Sequence, residues 1–135
     1  MFCLDTSVIV GSFRNKAESK EMFLEVASFG EPIFISVVAY GELCYGAFLV
    51  RDRESEEKKI GDFLAEFNIN IEPLTIEAVQ VFAKARFSLN KIGKKVDNFD
   101  LLIGATAVVN DSLLVTHNSR HFVNFPGLRL FNGSG

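Results

Sequence analysis

Short apolar segments of strand length alternate along the chain with longer segments whose apolar residues recur at helical spacing. Alternation of this kind is typical of a parallel sheet that helices cover on both faces. The sequence therefore predicts one α/β domain over residues 1–131, a three-layer α/β/α arrangement around a short, mainly parallel sheet. The predicted strands lie within residues 1–7, 33–35, 69–71, 113–116 and 128–131, and residues 132–135 are expected to form a flexible tail.

Length and composition narrow the class of protein further. The chain has 135 residues, 48% of them hydrophobic, which is enough to bury a core. Its apolar runs are shorter than the roughly 20 residues that cross a bilayer, and a charge at Asp5 argues against a signal peptide. Cys3 and Cys44 lie in apolar segments without metal-type spacing, so we expect buried free thiols in a reducing compartment. These features predict a cytoplasmic protein without a membrane segment.

An aspartate ends the first predicted strand. Asp5 follows an apolar run directly and precedes the helix-like residues 8–10. In open α/β sheets, ligands bind at the carboxyl ends of the strands, which makes Asp5 a candidate site residue. The alternative is that Asp5 only caps the helix that follows.

Two more acids, Glu42 and Asp100, lie in otherwise apolar helical segments. A carboxylate on an apolar helix face needs a cation or a proton, unless it reaches the edge of that face. The neighbours of Glu42 on its face are Val38, Ala39, Tyr45, Gly46 and Leu49. Asp100 lies near the start of a very hydrophobic helix, where Asp97 and Asp100 also fit the N-cap and the first turn.

Three carboxylates that converge from one strand end and two helices would form a hard, oxygen-rich site. Such a site suits Mg²⁺ or Mn²⁺, which polarises a phosphoryl oxygen and activates water for in-line attack. His117 and His121 have the i, i+4 spacing of a zinc pair but lack the glutamate of the metalloprotease motif, so surface or capping histidines are expected. An aspartyl nucleophile at Asp5 would usually have a second acid where Ser7 stands.

A basic segment precedes Asp97 in a chain whose formal net charge is −3. Basic clusters on acidic proteins can bind a phosphate backbone, although a run of charge is more often a solvated helix face. The segment contains no acid, and its basic residues are Lys84, Arg86, Lys91, Lys94 and Lys95.

Four sequence blocks in this order resemble the PIN-domain ribonucleases, particularly the VapC-type toxins of prokaryotic toxin–antitoxin pairs. The match spans nearly the entire chain. The blocks are residues 2–7, Ser36 with Gly41, Glu42, Leu43 and Gly46, residues 100–107, and residues 114–122.

The resemblance implies a Mg²⁺- or Mn²⁺-dependent endoribonuclease that cleaves RNA, forms a homodimer and is inhibited by a cognate antitoxin. Asp5, Glu42 and Asp100 match the metal-binding acids of the family. It also implies that Thr6 or Ser7 holds the first acid or a metal-bound water, and that Thr116 lines the site. Where the family often has a fourth acid, this chain has Asn118, so that ligand is neutral or is replaced by water or by Asp97.

Other functions stay open at this point. The chain could be an RNA-processing PIN nuclease without an antitoxin, a non-catalytic binding module, or a phosphatase or receiver-like domain that is phosphorylated on Asp5. One apolar stripe is either a groove for an antitoxin helix or ordinary core: Ile60, Phe63, Leu64 and Phe67, with Phe48 and Leu49.

Overall fold

One parallel sheet organises the fold. The structure, a computed structural model, describes residues 1–133. Within them the sheet has five strands in the order β3-β2-β1-β4-β5, and every neighbouring pair is parallel. The α/β prediction is thereby confirmed. The strands are β1 (Phe2–Leu4), β2 (Ile33–Ser36), β3 (Asn70–Glu72), β4 (Leu113–Val115) and β5 (Arg129–Leu130).

The helices fill the connections between strands, close to where the apolar periodicity predicts them. They are α1 (Thr6–Phe13), α2 (Ala17–Ser28), α3 (Val37–Leu49), α4 (Arg53–Glu66), α5 (Ile76–Lys91) and α6 (Asn98–Val109), with a short 3-10 helix at Ser119–His121. Helix α4 begins earlier than the apolar stripe suggests, because Asp52 caps it by accepting a 3.1 Å hydrogen bond from the Ser55 N–H.

The order of the strands determines where a site can form. The chain moves from β1 to β2 and β3 on one side, then returns to the other side of β1 for β4 and β5. Right-handed crossovers place α1–α4 over one face and α5 and α6 over the other, in agreement with the packing of α1 on α2 and α3 and of α5 on α6. The reversal lies between β1 and β4, and ligands bind at such switch points.

The core is formed by the strands and the inner helix faces. Cys3 is buried and Cys44 is partly buried, and both are free thiols. Helix α6 approaches the C-terminal segment closely at Gly104, where a Cβ atom would lie 2.8 Å from Phe125 Cε2. Among the described helices, none is long and apolar enough to span a membrane. Residues 132–133 form no helix or strand, and residues 134–135 of the predicted tail lie outside the described residues.

The apolar stripe of α4 belongs mainly to the core. Ile60 is buried, and Phe63 and Leu64 pack against the core. The Phe63 ring lies 5.1 Å from the Phe13 ring and 5.1 Å from the Phe23 ring. Ile60 and Leu64 therefore belong to the core, Phe63 both packs on the core and lines a surface groove, and Phe48 and Leu49 are exposed on α3.

Candidate active site

Asp5 lies at the carboxyl end of the central strand and is only 3% exposed. It is the N-cap of α1, since its Oδ1 accepts a 2.8 Å hydrogen bond from the Thr6 N–H. Its Oδ2 accepts hydrogen bonds from the hydroxyls of Thr116, at 2.6 Å, and Ser7, at 3.2 Å. The capping role and the position at the switch point therefore coincide in one buried carboxylate.

Glu42 faces the start of α1 from helix α3. Its Oε1 accepts a 2.7 Å hydrogen bond from the Thr6 hydroxyl. Partial burial raises the pKa of Glu42, the Thr6 hydrogen bond partly opposes this, and the negative charges of Asp5, Asp100 and Asp97 raise it further. Glu42 is therefore part of the same electrostatic cluster as the other acids.

Asp100 lies in the first turn of α6, with its side chain 21% exposed. Burial and then the charge of Asp5 raise the pKa of Asp100, while a 3.2 Å contact with His121 Nδ1 lowers it. Asp97 is the N-cap of α6 and accepts a 3.1 Å hydrogen bond from the Phe99 N–H. The capping alternative is thus correct for Asp97, whose charge nevertheless acts on Asp100.

The negative charges of the acids repel one another, and the acids do not form a complete set of metal ligands. Within residues 1–133, no three acidic, imidazole or thiol groups lie close enough together to hold a metal ion as they stand. Their direct contacts are instead with hydroxyls, main-chain N–H groups and His121. The oxygen donors and their excess negative charge fit a hard divalent cation, which would have to draw the side chains together.

Thr116 connects the end of β4 to Asp5. Its hydroxyl donates to Asp5 Oδ2 and accepts a 2.9 Å hydrogen bond from the Asn118 N–H. The Asn118 side chain is exposed, so its contribution here is made by its main chain. Ser7 has a similar bridging position, since its hydroxyl accepts a 3.4 Å hydrogen bond from the His117 N–H.

The structure separates the five basic residues into two groups. Arg86, Lys94 and Lys95 line a surface pocket of about 500 Å³ where α5 leads into α6. Lys84 and Lys91 do not line it; the Lys91 ammonium lies 4.5 Å from the centre of the Phe87 ring. We call the pocket of Arg86, Lys94 and Lys95 the basic pocket.

The basic pocket is connected to both sides of Asp100. Arg86 donates a hydrogen bond to the Asn98 side chain at the start of α6. Lys94 Nζ donates a 3.4 Å hydrogen bond to the main-chain carbonyl of Arg120, the neighbour of His121. The cations therefore adjoin the Asp100 side of the acidic cluster.

A sequence model of the PIN domain matches residues 2–128. The chain belongs to the PIN domain family. Ribonuclease VapC2 of Rickettsia felis is 28% identical over 132 residues, which cover 98% of this chain and 97% of that protein. Ribonuclease VapC19 of Mycobacterium tuberculosis is 29% identical over 129 residues, which cover 96% of this chain and 98% of that protein.

Solved structures share the PIN domain fold of this chain. A chain in the crystal structure of VapBC2 from Rickettsia felis, bound to a DNA fragment from their promoter, superposes with a TM-score of 0.86 at 27% identity, with 97% of each chain covered. A chain of VapBC-1 from nontypeable Haemophilus influenzae gives a TM-score of 0.86 at 24% identity, with 97% of this chain and 96% of that chain covered.

Two histidine contacts in this PIN domain were not expected from the sequence. His121, expected at the surface, is exposed but contacts Asp100. His117 Nε2 lies 2.7 Å from the hydroxyl of Ser19, a residue that no sequence motif marks. The i, i+4 spacing of the two histidines is typical of a zinc motif. It does not predict their hydrogen-bond partners on α2 and α6.

Proposed function

We propose that this PIN domain is a metal-dependent endoribonuclease that hydrolyses RNA phosphodiester bonds, and that it is the toxin of a type II toxin–antitoxin pair. The observation that carries the proposal is that Thr6 hydrogen-bonds both Asp5 and Glu42 at the switch point of the sheet, with Asp100 near enough for the charge of Asp5 to act on it. The ribonuclease names of relatives that match almost the whole chain support the same activity.

In this proposal Asp5, Glu42 and Asp100 are the catalytic acids and hold Mg²⁺ or Mn²⁺. Asp97 is the candidate for a further ligand, because its charge acts on both Glu42 and Asp100. When bound, the cation supplies Lewis-acid polarisation of the phosphoryl group and activation of water. The charge of the acids is otherwise offset only in part, by His121 at Asp100.

The neighbouring hydroxyls have a supporting role in this proposal. The Thr6 N–H and the Thr116 hydroxyl each bind one oxygen of Asp5, which fixes the orientation of its carboxylate. The Thr6 hydroxyl orients Glu42, and Asn118 holds Thr116 through its main-chain N–H. Such fixed side chains reduce the reorganisation that cation and substrate binding require.

RNA binding needs cations, because the acids themselves repel phosphate. We assign the main RNA contacts to the basic pocket of Arg86, Lys94 and Lys95, with Lys84 and Lys91 as outlying contributors. We also propose that the protein acts in the cytoplasm, where cellular RNA is available to it.

For the antitoxin we propose an amphipathic helix in an apolar groove of about 440 Å³ between α1, α2 and α4. Phe13, Phe23, Leu24, Phe63 and Phe67 supply its apolar lining, and Leu24 is exposed. Grooves of this kind bind one face of a helix. The similarity of this chain to a chain of VapBC2 from Rickettsia felis supports a protein partner.

We also propose a homodimer. The last turns of α3 expose Tyr45, Phe48 and Leu49 side by side, an apolar surface suited to burial against a second copy. Light scattering of the purified protein tests this: a monomer at all concentrations would reject the dimer without affecting the proposed chemistry.

Cleavage of total RNA by antitoxin-free protein tests the enzymatic proposal, with Mg²⁺ or Mn²⁺ against EDTA. We expect cleavage that requires a cation and that falls by at least about 100-fold in Asp5→Asn and Asp100→Asn, since each change removes a negative charge from the proposed cation site. Asp62→Asn is the matched control, because Asp62 forms only a surface ion pair with Lys58. Undiminished cleavage in EDTA, or in both site variants, would reject the proposed site.

The test also separates the remaining alternatives. A folded wild type that binds RNA but cuts none with either cation supports the non-catalytic binding module. Metal-dependent cleavage that no co-encoded protein inhibits supports an RNA-processing nuclease without an antitoxin. Intact mass after treatment with a phosphodonor would reveal the receiver-like alternative as a phosphorylated Asp5.

A further inference from the structure

A second polar pocket shares Ser7 with the candidate active site. It has a volume of about 390 Å³ and lies between α1, the first turn of α2 and the residue that follows Thr116. Its polar lining consists of Ser7, Lys16, Glu18, Ser19 and His117. We call it the Ser19 pocket, and its other residues have no part in the proposed chemistry.

The polar wall of the Ser19 pocket is held in place from several sides. Ser19 is only 2% exposed, and its hydroxyl lies 2.7 Å from His117 Nε2. Gly11 makes room for it, since a Cβ atom on Gly11 would lie 2.7 Å from Ser19 Cβ. The His117 N–H donates to the Ser7 hydroxyl, which in turn donates to Asp5. The pocket is thus a packed, hydrogen-bonded extension of the acidic site.

The Ser19–His117 pair keeps one hydrogen to donate in either neutral tautomer. If Ser19 donates to Nε2, the proton of the imidazole is on Nδ1; if Nε2 donates to Ser19, the hydroxyl hydrogen is free. None of the described residues accepts a hydrogen bond from His117 Nδ1, and Lys16 forms no ion pair within residues 1–133. The lining of the pocket therefore includes a cation and a side-chain pair with one unused hydrogen.

Glu18 is the acidic member of this lining and offsets the charge of Lys16. A free anion would therefore gain little net attraction there. An anionic group that is already held nearby as part of a longer molecule needs much less intrinsic affinity, because its second contact is intramolecular. The chemistry of the pocket thus fits a phosphate within a polymer better than free phosphate.

We propose that the Ser19 pocket binds a backbone phosphate of the RNA strand, through Lys16 and the donor of the Ser19–His117 pair. The inference rests on the proposed ribonuclease function and adds a second anchor for its substrate. The Ser19 pocket adjoins Asp5 through Ser7, whereas the basic pocket adjoins Asp100 through Arg120 and His121. Anchors at two different acids hold one strand across the acidic cluster.

The salt dependence of RNA binding tests the proposal. The probe is fluorescein-labelled oligouridylate in EDTA, and binding is measured by anisotropy as the KCl concentration rises. Loss of one phosphate contact lowers the slope of log K against log[salt] by about 0.7 for a single strand. We expect that decrease for Lys16→Ala and a normal slope for Lys16→Arg. Lys20→Ala is the matched control, one helical turn further along α2 and outside the lining of the pocket.

Cleavage kinetics distinguish failure of this inference from failure of the proposed function. With Mg²⁺ or Mn²⁺, Lys16→Ala should raise KM more than it lowers kcat, because the contact is made in the ground state and in the transition state alike. If the wild type cleaves RNA while Lys16→Ala retains its salt slope and its KM, the Ser19 pocket is not an RNA subsite and the ribonuclease stands. A wild type that neither binds nor cleaves RNA overturns both.

Discussion

The Thr6 hydroxyl donates a 2.7 Å hydrogen bond to Glu42 Oε1. The N–H of the same residue donates a 2.8 Å hydrogen bond to Asp5 Oδ1. A single threonine at the start of α1 therefore orients two acids that belong to a strand end and to a different helix. A displacement of Thr6 should therefore affect both acids of the site.

Thr6→Val should impair the site through Glu42 while it leaves the main-chain contact to Asp5 intact. The Thr6 hydroxyl lowers the pKa of Glu42, so its removal should raise that pKa further. As the pH is lowered, cleavage by Thr6→Val should therefore begin to decline at a higher pH than cleavage by the wild type. The measurement is the pH profile of kcat/KM. Thr6→Ser, which retains the hydroxyl, is the control and should keep the wild-type profile; identical profiles for both variants would contradict the role of the hydrogen bond.

Asp100→Asn should stabilise the cation-free protein at neutral pH. Burial and the charge of Asp5 raise the pKa of Asp100 above its ordinary value of 3.8, so the ionised group costs stability in the folded state. That cost is relieved as the pH falls through the raised pKa, and it vanishes below the ordinary value. We expect a gain below about 1 kcal/mol, because the group is partly solvated.

Urea denaturation in EDTA, from neutral pH to below the ordinary pKa of 3.8, measures the free energy of unfolding of the wild type and of Asp100→Asn. The advantage of Asp100→Asn should shrink as the pH decreases, whereas Asp62→Asn should show no such advantage at neutral pH, since Asp62 is exposed and paired with Lys58. A gain of the same size at every pH would point to packing rather than to charge.

The two groups of basic residues should contribute unequally to RNA binding. Charge reversal of Lys94 and Lys95 places repulsive charge in the basic pocket, so we expect at least a tenfold loss of affinity for RNA at low salt. Charge reversal of Lys84 and Lys91 changes the net charge by the same amount but lies outside that pocket. We therefore expect a smaller loss of RNA affinity for this pair. Filter binding measures both, with circular dichroism to verify the fold. Equal losses would show that only overall charge matters.

Gly104→Ala should destabilise the protein by about 1–3 kcal/mol, because its Cβ atom would lie 2.8 Å from the Phe125 ring. Gly61→Ala is a matched control within α4, where no atom lies within 4 Å of the added Cβ. Alanine favours the helix there, so that variant should be neutral or up to about 1 kcal/mol more stable. Thermal and urea unfolding compare the pair, and a tolerated Gly104→Ala would mean that the C-terminal segment can move aside.

Those features that arise from local sequence were predictable. An apolar strand that ends in Asp5, and Ser36 as the cap of α3, follow from neighbouring residues and agree with the structure. The spread of Lys84, Arg86 and Lys91 around α5 was also accessible, because residues seven apart share a helix face and residues two apart do not. The net charge of the basic segment alone does not reveal this separation.

Contacts between distant residues were not accessible in this way. Ser19 and His117 are separated by 98 positions, and His121 and Asp100 by 21. Their proximity depends on how α1, α2, α6 and the segment after β4 pack together, which no periodicity encodes. The α4 stripe shows the same limit, since apolar spacing alone does not distinguish a groove from core.

The central position of β1 has a consequence for how the protein is made. Asp5 is translated before its hydrogen-bond partner Thr116, which follows 111 positions later. The first strand therefore leaves the ribosome without β4, its neighbour in the finished sheet. A nascent chain cannot form the Thr116–Asp5 hydrogen bond until β4 and the residue after it have been translated. The hydrogen-bonded site around Asp5 is thus completed by the segment after α6, once α1 and α3 have already left the ribosome.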